Sequence, residues 1–477
     1  MDLQSESVAV SPWMMLPFVA LLTAIALAPL FFADWWGRHY PRVVGALAGI
    51  VVIYYVAVLG APMRVLHTAH EYLSFIALIG SLFVISGGIH INVKGEATPM
   101  VNVLFLFFGA LLANVLGTTG ASMLLIRPWL RMNKYRVSAH HVMFFIFIVS
   151  NVGGCLTPVG DPPLFLGYLM GVPFWWVASR GIQIWLVGVG VLLAFFFYVD
   201  YRNYLRAPRQ VRFEQTGHSE EWRFDGVENL FFLGIVLAAV FVNRPLFLRE
   251  SLMLGAAVAS YFTTRKPVHE SNHFSLGPVK EVAILFAGIF ATMLPALEWL
   301  QGNASKLQVT TAGFFYFGSG SLSSVLDNAP TYLCFLKALF GRYIQPDVIT
   351  QVTHLVQTGG SGLASLTGPH VTEIRNTFAA LQQYHPSDLA AKSVNSDEIQ
   401  VAYLLGNVKL NLYLLAVSVG SVFFGANTYI GNGPNFMVKA IADHQKVHTP
   451  SFLGYILRYT LPFMIPMILV IWWIFFL

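Results

Sequence analysis

Apolar residues run almost unbroken through positions 13–33, 43–61, 72–92, 100–126, 138–157 continuing through 163–178, and 181–199. After a polar stretch at 200–226, the runs resume at 228–243, 246–263, 279–300, 309–340, 401–440 and 452–477. A run of about 20 apolar residues has the length of a helix that crosses a bilayer core. The pattern predicts an all-α polytopic membrane protein.

The two sets of runs share a layout that extends to particular residues. ANVLGTTGASMLL (113–125) aligns with SSVLDNAPTYLCF (323–335) in the register that sets Glu71 against Glu281. GCLTPVGDPPLF (154–165) aligns with GANTYIGNGPNF (425–436). Gly154, Thr157, Gly160, Pro163 and Phe165 then meet Gly425, Thr428, Gly431, Pro434 and Phe436. Each aligned segment is an apolar run interrupted by Gly, Pro and polar residues, and paired interruptions in two halves point to a transporter's binding site. Backbone that leaves helical geometry at membrane depth has to line a cavity or be buried in protein.

The expected organisation is therefore two inverted-topology repeats, each with a re-entrant helical hairpin and a broken transmembrane helix. The first repeat covers 1–200, with its hairpin at 100–131 and broken helix at 138–178. A cytoplasmic link spans 201–226. The second repeat covers 227–477, with a hairpin at 309–341, an extracytoplasmic insertion at 341–400 and a broken helix at 401–440.

Composition agrees: 56% of residues are hydrophobic and 11% charged, against about 25% charged in soluble domains. With five crossings per half, the larger share of Lys and Arg, including the Arg-rich stretch at 200–226, falls on one side, which the positive-inside rule makes the cytoplasm. Integral insertion in a cytoplasmic (inner) membrane with both termini extracytoplasmic is the expectation. The net charge of +5 then belongs to loops and gives no reason to expect a nucleic-acid partner. Cys155 and Cys334 lie in apolar segments and have no metal-ligand spacing. The opening MDLQSESVAVSP contains no Lys or Arg, unlike a signal-peptide n-region, so the first span is expected to stay in the protein. No nucleotide-binding, metalloprotease or nucleophile-elbow motif is present, and the chain reads as a non-enzyme without a cofactor.

The candidate chemistry sits at the interruptions. Asp161 is a carboxylate near mid-span, flanked by Gly160, Pro162 and Pro163. An ionisable group at that depth costs at least ~2.5 kcal/mol on insertion scales, so it should face a cavity or a partner; capping the helix after the prolines is the plainer alternative. Asp327 and Asn328 sit at the expected tip of the second hairpin, as cation or proton ligands or as an Asx turn before Pro330. Thr118, Thr119, Ser122, Asn151, Thr157, Asn427, Thr428, Asn432 and Asn435 offer hydroxyl and amide oxygens suited to a hard cation. Lys409 is either a charge partner for a membrane carboxylate or a snorkelling side chain. His140 and His141 begin a span and read as an interfacial pair.

Through GTTGAS, SNVGGCLTPVGDPPLF, LDNAPTY and ANTYIGNGPNF, the chain resembles the ion transporter superfamily of arsenite exporters, divalent-anion/sodium symporters, citrate carriers and one class of sodium/proton antiporters. It is most similar to the antiporter or citrate transport branch. The resemblance implies an elevator-type carrier, often a homodimer, in contact with membrane lipid. By motif, Asp161 and Asp327–Asn328 resemble the acidic and amide positions of the antiporters, while GTT and DNAPT replace the Ser-Asn-Thr hairpin tips of the divalent-anion symporters. The leading expectation is Na⁺(Li⁺)/H⁺ antiport, with Na⁺ at Asp161, Asp327 and Asn328 and H⁺ competing for the carboxylates. The alternative is a Na⁺- or H⁺-coupled citrate or dicarboxylate transporter, so small ions or small carboxylates are the expected partners. By side-chain charge alone, two carboxylates with only Lys409 as counter-charge suit a cation better than citrate.

Overall fold

The computed structural model describes residues 10–92, 98–206, 223–242, 244–272, 274–306, 311–363 and 366–477. Among them, eight helices are long and apolar enough to cross a membrane, and the protein is an all-α polytopic membrane protein. Most of the Arg-rich link expected at 201–226, and the first nine positions, lie outside the described residues.

In the first half the chain forms α1 (Leu16–Phe31), α2 (Ala33–Val58), α3 (Pro62–Gly87), α4 (Pro99–Met132), α5 (Ala139–Ile148), α6 (Pro162–Leu169) and α7 (Trp176–Arg206). The second half forms α8 (Asn229–Ala239), α9 (Leu248–Thr263), α10 (Gly277–Asn303), α11 (Ala312–Ser323), α12 (Asn328–Tyr343), α13 (Pro346–Gln357), α14 (Val371–Tyr384), α15 (Ser396–Leu405), α16 (Val408–Phe423), α17 (Gly433–His444) and α18 (Phe452–Phe475). Prolines at the first turns of α3, α4, α6, α10 and α17 stand where a missing N–H costs nothing and a fixed φ favours the helix.

The helices pack as two groups. One joins α1, α2, α3, α8, α9 and α10; the other joins α4–α7 with α11, α12 and α15–α18. They meet where α3 packs on α4 and α10 packs on α12.

Helix α4 reverses at Gly117, whose backbone leaves helical geometry (φ 75°, ψ 155°), and α11 and α12 form the second hairpin. Both broken segments are present: the chain is non-helical between α5 and α6 and between α16 and α17, apart from short 3₁₀ turns.

Four features depart from the sequence reading. Helix α2 starts at Ala33 rather than near 43: its first three turns take in Asp34, Arg38 and Arg42, and the two arginines have stems long enough to carry their charge to water. The insertion is helical: α13 buries Val348, Val352, Leu355 and Val356, and α14 buries Ile374, Phe378 and Leu381. The second broken segment has an additional interruption at Gly406–Asn407, where Asn407 caps α16. A short antiparallel pair, β1 (His90–Asn92) with β2 (Arg223–Asp225), joins the ends of α3 and the link, with Ile91 opposite Phe224.

A polar network closes the base of the first hairpin. Asp200, the first residue of the polar stretch at 200–226, is fully buried in α7. Its carboxylate accepts from Asn102 (2.9 Å) and from the Arg136 guanidinium, with Nη2 3.0 Å from Oδ2 and Nη1 on Oδ1. His140 and His141 are buried too, not interfacial. Their Nε2 atoms lie 3.2 and 3.1 Å from Asp200 Oδ1, while their Nδ1 atoms face the Ser138 hydroxyl and backbone N–H. A neutral His140 ring that donates from Nε2 to Asp200 and accepts at Nδ1 fits this arrangement, whereas His141 Nε2 lies near the same oxygen without a hydrogen bond. Asn133, bonded to Asn102 at 2.8 Å, ties both ends of the hairpin together.

Candidate functional site

The second arm of α4 begins at Thr118, and its N–H donates to Gly160 O at 2.7 Å. Asp161 stands at the N-cap of α6, yet its side chain does not cap that helix. Its oxygens go elsewhere: Thr118 Oγ1 donates to Oδ1 (2.8 Å), Asn432 Nδ2 to Oδ1 (3.2 Å) and Asn328 Nδ2 to Oδ2 (2.6 Å). One carboxylate, 1% exposed, thus gathers donors from both hairpins and from the second broken segment. The capping alternative for Asp161 does not hold in this geometry.

Asp327 behaves differently. Its Oδ1 accepts from Ala329 N–H at 3.1 Å as the N-cap of α12, the Asx-type role that Pro330 suggests, and it makes no hydrogen bond to Asp161 among the described residues. Asn328, one position on, carries the contact. Lys409 is exposed at the start of α16, its Nζ 5.8 Å from the Tyr413 ring. Among the described residues it makes no ion pair with Asp161 or Asp327.

Behind Asp161 lies a chain of amides. Asn432 Nδ2 also reaches Asn151 Oδ1 (3.1 Å) and Ser150 O (3.2 Å); Asn151 donates to Asn435 Oδ1 (2.7 Å), and Asn435 donates to Gly425 O (2.8 Å) and Thr428 O (2.9 Å). Ser122 and Ser150 share a hydrogen bond of 2.7 Å. Two buried acceptors in this region have no partner among the described residues, Asn328 Oδ1 and Asn427 Oδ1. A buried polar atom left unbonded is costly, so both positions suit a bound cation or water.

The aligned residues make matching bonds. Thr157 Oγ1 donates to Asn114 O (2.6 Å) and accepts from Gly160 N (3.0 Å); Thr428 Oγ1 donates to Ser324 O (2.6 Å) and accepts from Gly431 N (3.1 Å). Asn114 Nδ2 reaches Gly153 O (2.7 Å), while Ser324 Oγ reaches Phe424 O (3.3 Å). Thr157 and Thr428 therefore tie each hairpin to its broken segment instead of pointing at Asp161. Asn114 and Ser324 escaped the sequence reading, although they face each other in the 113–125/323–335 alignment. An isosteric Thr428→Val change removes these bonds and is expected to cost about 1–3 kcal/mol, visible as a lowered melting temperature in detergent.

Thr119 lines a cavity of ≈ 20 Å³ together with Gly117, Thr118, Gly160 and Pro162 on one side and Leu78 and Leu82 of α3 on the other. That is room for a water molecule, on the seam between the two helix groups.

The chain matches the family model CitMHS_2, described as "Putative citrate transport", over residues 7–476. This protein belongs to that citrate transport family. It is accordingly a membrane transporter rather than an enzyme. A comparison with curated proteins returns no match. Of the two functional readings, membership in the citrate transport family favours carboxylate transport over Na⁺/H⁺ antiport.

In this protein positive potential at the site comes from the backbone as well as from side chains. Asp161 is the N-cap of α6, Asn432 the N-cap of α17, and Asn328 the first residue of α12. Three helix N-termini thus converge on one carboxylate. Each carries a partial positive charge of roughly half an elementary unit, offset at α12 by the Asp327 carboxylate that caps it, and half-helix N-termini are suited to anionic substrate groups. Counting Lys and Arg alone misses this positive potential.

Proposed function

We propose that the protein is a Na⁺- or H⁺-coupled carrier of citrate or a related small di- or tricarboxylate, with Asp161 as the residue that binds the coupling cation. The observation that carries the reading is the convergence of Thr118, Asn328, Asn432 and three helix N-termini on the buried Asp161 carboxylate. While Asp161 is charged, it occupies the positive potential of those helix ends. Once a proton or Na⁺ neutralises it, that potential is released to attract a substrate carboxylate. Cation binding therefore raises anion affinity, and by linkage the anion raises cation affinity to the same degree.

Asn328 suits this exchange. Its Nδ2 donates to the carboxylate, and its unpartnered Oδ1 becomes useful when the amide turns to accept from a protonated Asp161 or to ligate a cation. Thr119, Asn151 and Asn427 extend the oxygen lining. Because the cavity beside Thr118 is water-sized, substrate entry requires the second helix group to move along α3 and α10. We place this movement in an elevator-type cycle of two inverted repeats, in a homodimer embedded in the cytoplasmic membrane with both termini outside.

A second reading, Na⁺(Li⁺)/H⁺ antiport with Asp161, Asp327 and Asn328 around the ion, is favoured by one observation. Among the described residues, no Lys or Arg makes a hydrogen bond or ion pair with Asp161 or its amide partners. Proteoliposomes containing a pH dye and given radiolabelled citrate distinguish the two. Citrate uptake that requires an inward Na⁺ or H⁺ gradient supports the carrier. Proton movement on adding Na⁺ or Li⁺ without citrate supports antiport, and absence of both responses removes both readings.

A further inference from the structure

A second constellation lies away from Asp161, on the face that carries the helical insertion. His385 follows α14, Asp388 sits in the short helix Pro386–Ala390, and Glu398 is in the first turn of α15. One ligand atom from each lies within 4.8 Å of the others. They gather around Gly171, just beyond α6. Gly171 has a φ of 98°, and a Cβ there would stand 2.9 Å from Glu398 Cα.

Three features make this more than a polar surface. His385 Nε2 lies 3.0 Å from Gly171 O, so the ring donates to a backbone carbonyl and keeps the lone pair of a neutral imidazole on Nδ1, the orienting bond usual for a metal-bound imidazole. Glu398 commits one oxygen, Oε2, to Asn395 N–H at 2.8 Å, which holds the side chain in place and leaves Oε1 available. Neither Asp388 nor Glu398 has a Lys or Arg within ion-pair distance among the described residues, although the two carboxylates repel each other. Arg244 and Asp397 are the other charged groups acting on Glu398.

We propose that His385, Asp388 and Glu398 bind a divalent transition-metal ion of the Zn²⁺ class. One imidazole and two carboxylates are a borderline donor set with a fourth position left to water, whereas Ca²⁺ calls for six or more oxygens. The ion would hold the end of α14, the short helix and the first turn of α15 together beside Gly171, which follows α6, the helix that Asp161 begins. Neither the carrier nor the antiport reading is needed for this site.

The test uses purified full-length protein, freed of any affinity tag, in detergent without citrate, which would chelate the metal. Calorimetric titration with Zn²⁺ is expected to show one ion per chain at micromolar affinity, a raised melting temperature, and little response to Ca²⁺ or Mg²⁺. Glu398→Gln and Asp388→Asn should each weaken binding at least about tenfold. The Asp388 carboxylate makes no hydrogen bond among the described residues, so Asp388→Asn remains informative should Glu398→Gln not yield monodisperse protein. His140→Gln, in the buried cluster with His141 and Asp200, should leave Zn²⁺ affinity unchanged. Lack of micromolar Zn²⁺ binding, wild-type affinity in both carboxylate variants, or loss of binding in His140→Gln would each overturn the proposal.

Discussion

Asp161→Asn is expected to reduce gradient-driven citrate uptake to background while the protein still folds. A unit charge about 4 Å from a cation contributes about 4 kcal/mol at an effective dielectric near 20, so neutralising it lowers cation affinity by roughly a thousandfold. Folding should survive because the new amide has partners. Its oxygen can accept from Thr118 and Asn432, and its NH₂ can donate to Asn328 Oδ1 once the Asn328 amide, which presents Nδ2 to Asp161 in the wild type, turns over. Uptake into proteoliposomes, compared with the size-exclusion profile of the same preparation, checks both halves of the expectation. A variant that keeps cation-driven uptake would remove Asp161 from the coupling mechanism.

Gly160→Ala should act on folding itself. A Cβ at Gly160 would lie 2.1 Å from Gly154 O and 3.1 Å from Thr157 O, both backbone atoms that cannot swing aside. Overpacking against movable side chains costs about 1–3 kcal/mol, and a backbone clash in the turn that presents Asp161 should exceed that range. Its counterpart Gly431→Ala meets Gly425 O at 2.6 Å and Ser323 O at 2.8 Å and should be damaging as well. By contrast, Gly45→Ala and Gly255→Ala meet nothing within 4 Å inside helices and should gain about 0.4–1 kcal/mol. Thermal melting in detergent for the four variants provides the comparison; equal melting temperatures for Gly160→Ala and the wild type would show that the turn relaxes in a way the packing does not suggest.

These glycines also mark what could be read directly from the residue order. The spacing of Gly, Thr and Pro in 154–165 and 425–436 reflects local constraints: a threonine that bonds a glycine N–H three positions on, then a proline opening a helix. Such constraints leave their mark within a short stretch. The Asp200 network left none, because Asn102, Arg136, His140 and Asp200 come from separated segments and each looks like an ordinary loop or interface residue alone. Asp161 was visible as a costly mid-span carboxylate, but its partner choice was not. Asp327 and Asn328 are neighbours, and only the geometry of the α12 N-terminus turns the acid to its own helix and the amide to Asp161. The positive potential was illegible for another reason: it belongs to peptide dipoles, not to any residue type.

The small cavity beside Thr118 has a bioenergetic consequence. Proton hopping through a membrane protein needs an unbroken file of waters, and a space that admits one molecule next to a carboxylate 1% exposed supplies only a stub of such a file. For the carrier proposed above, a buried Asp161 beside a single water-sized space would pass no proton by that route in this conformation. On the proposed reading, charge would cross by that route only with a complete turnover, and an idle carrier would draw no current from the membrane through it.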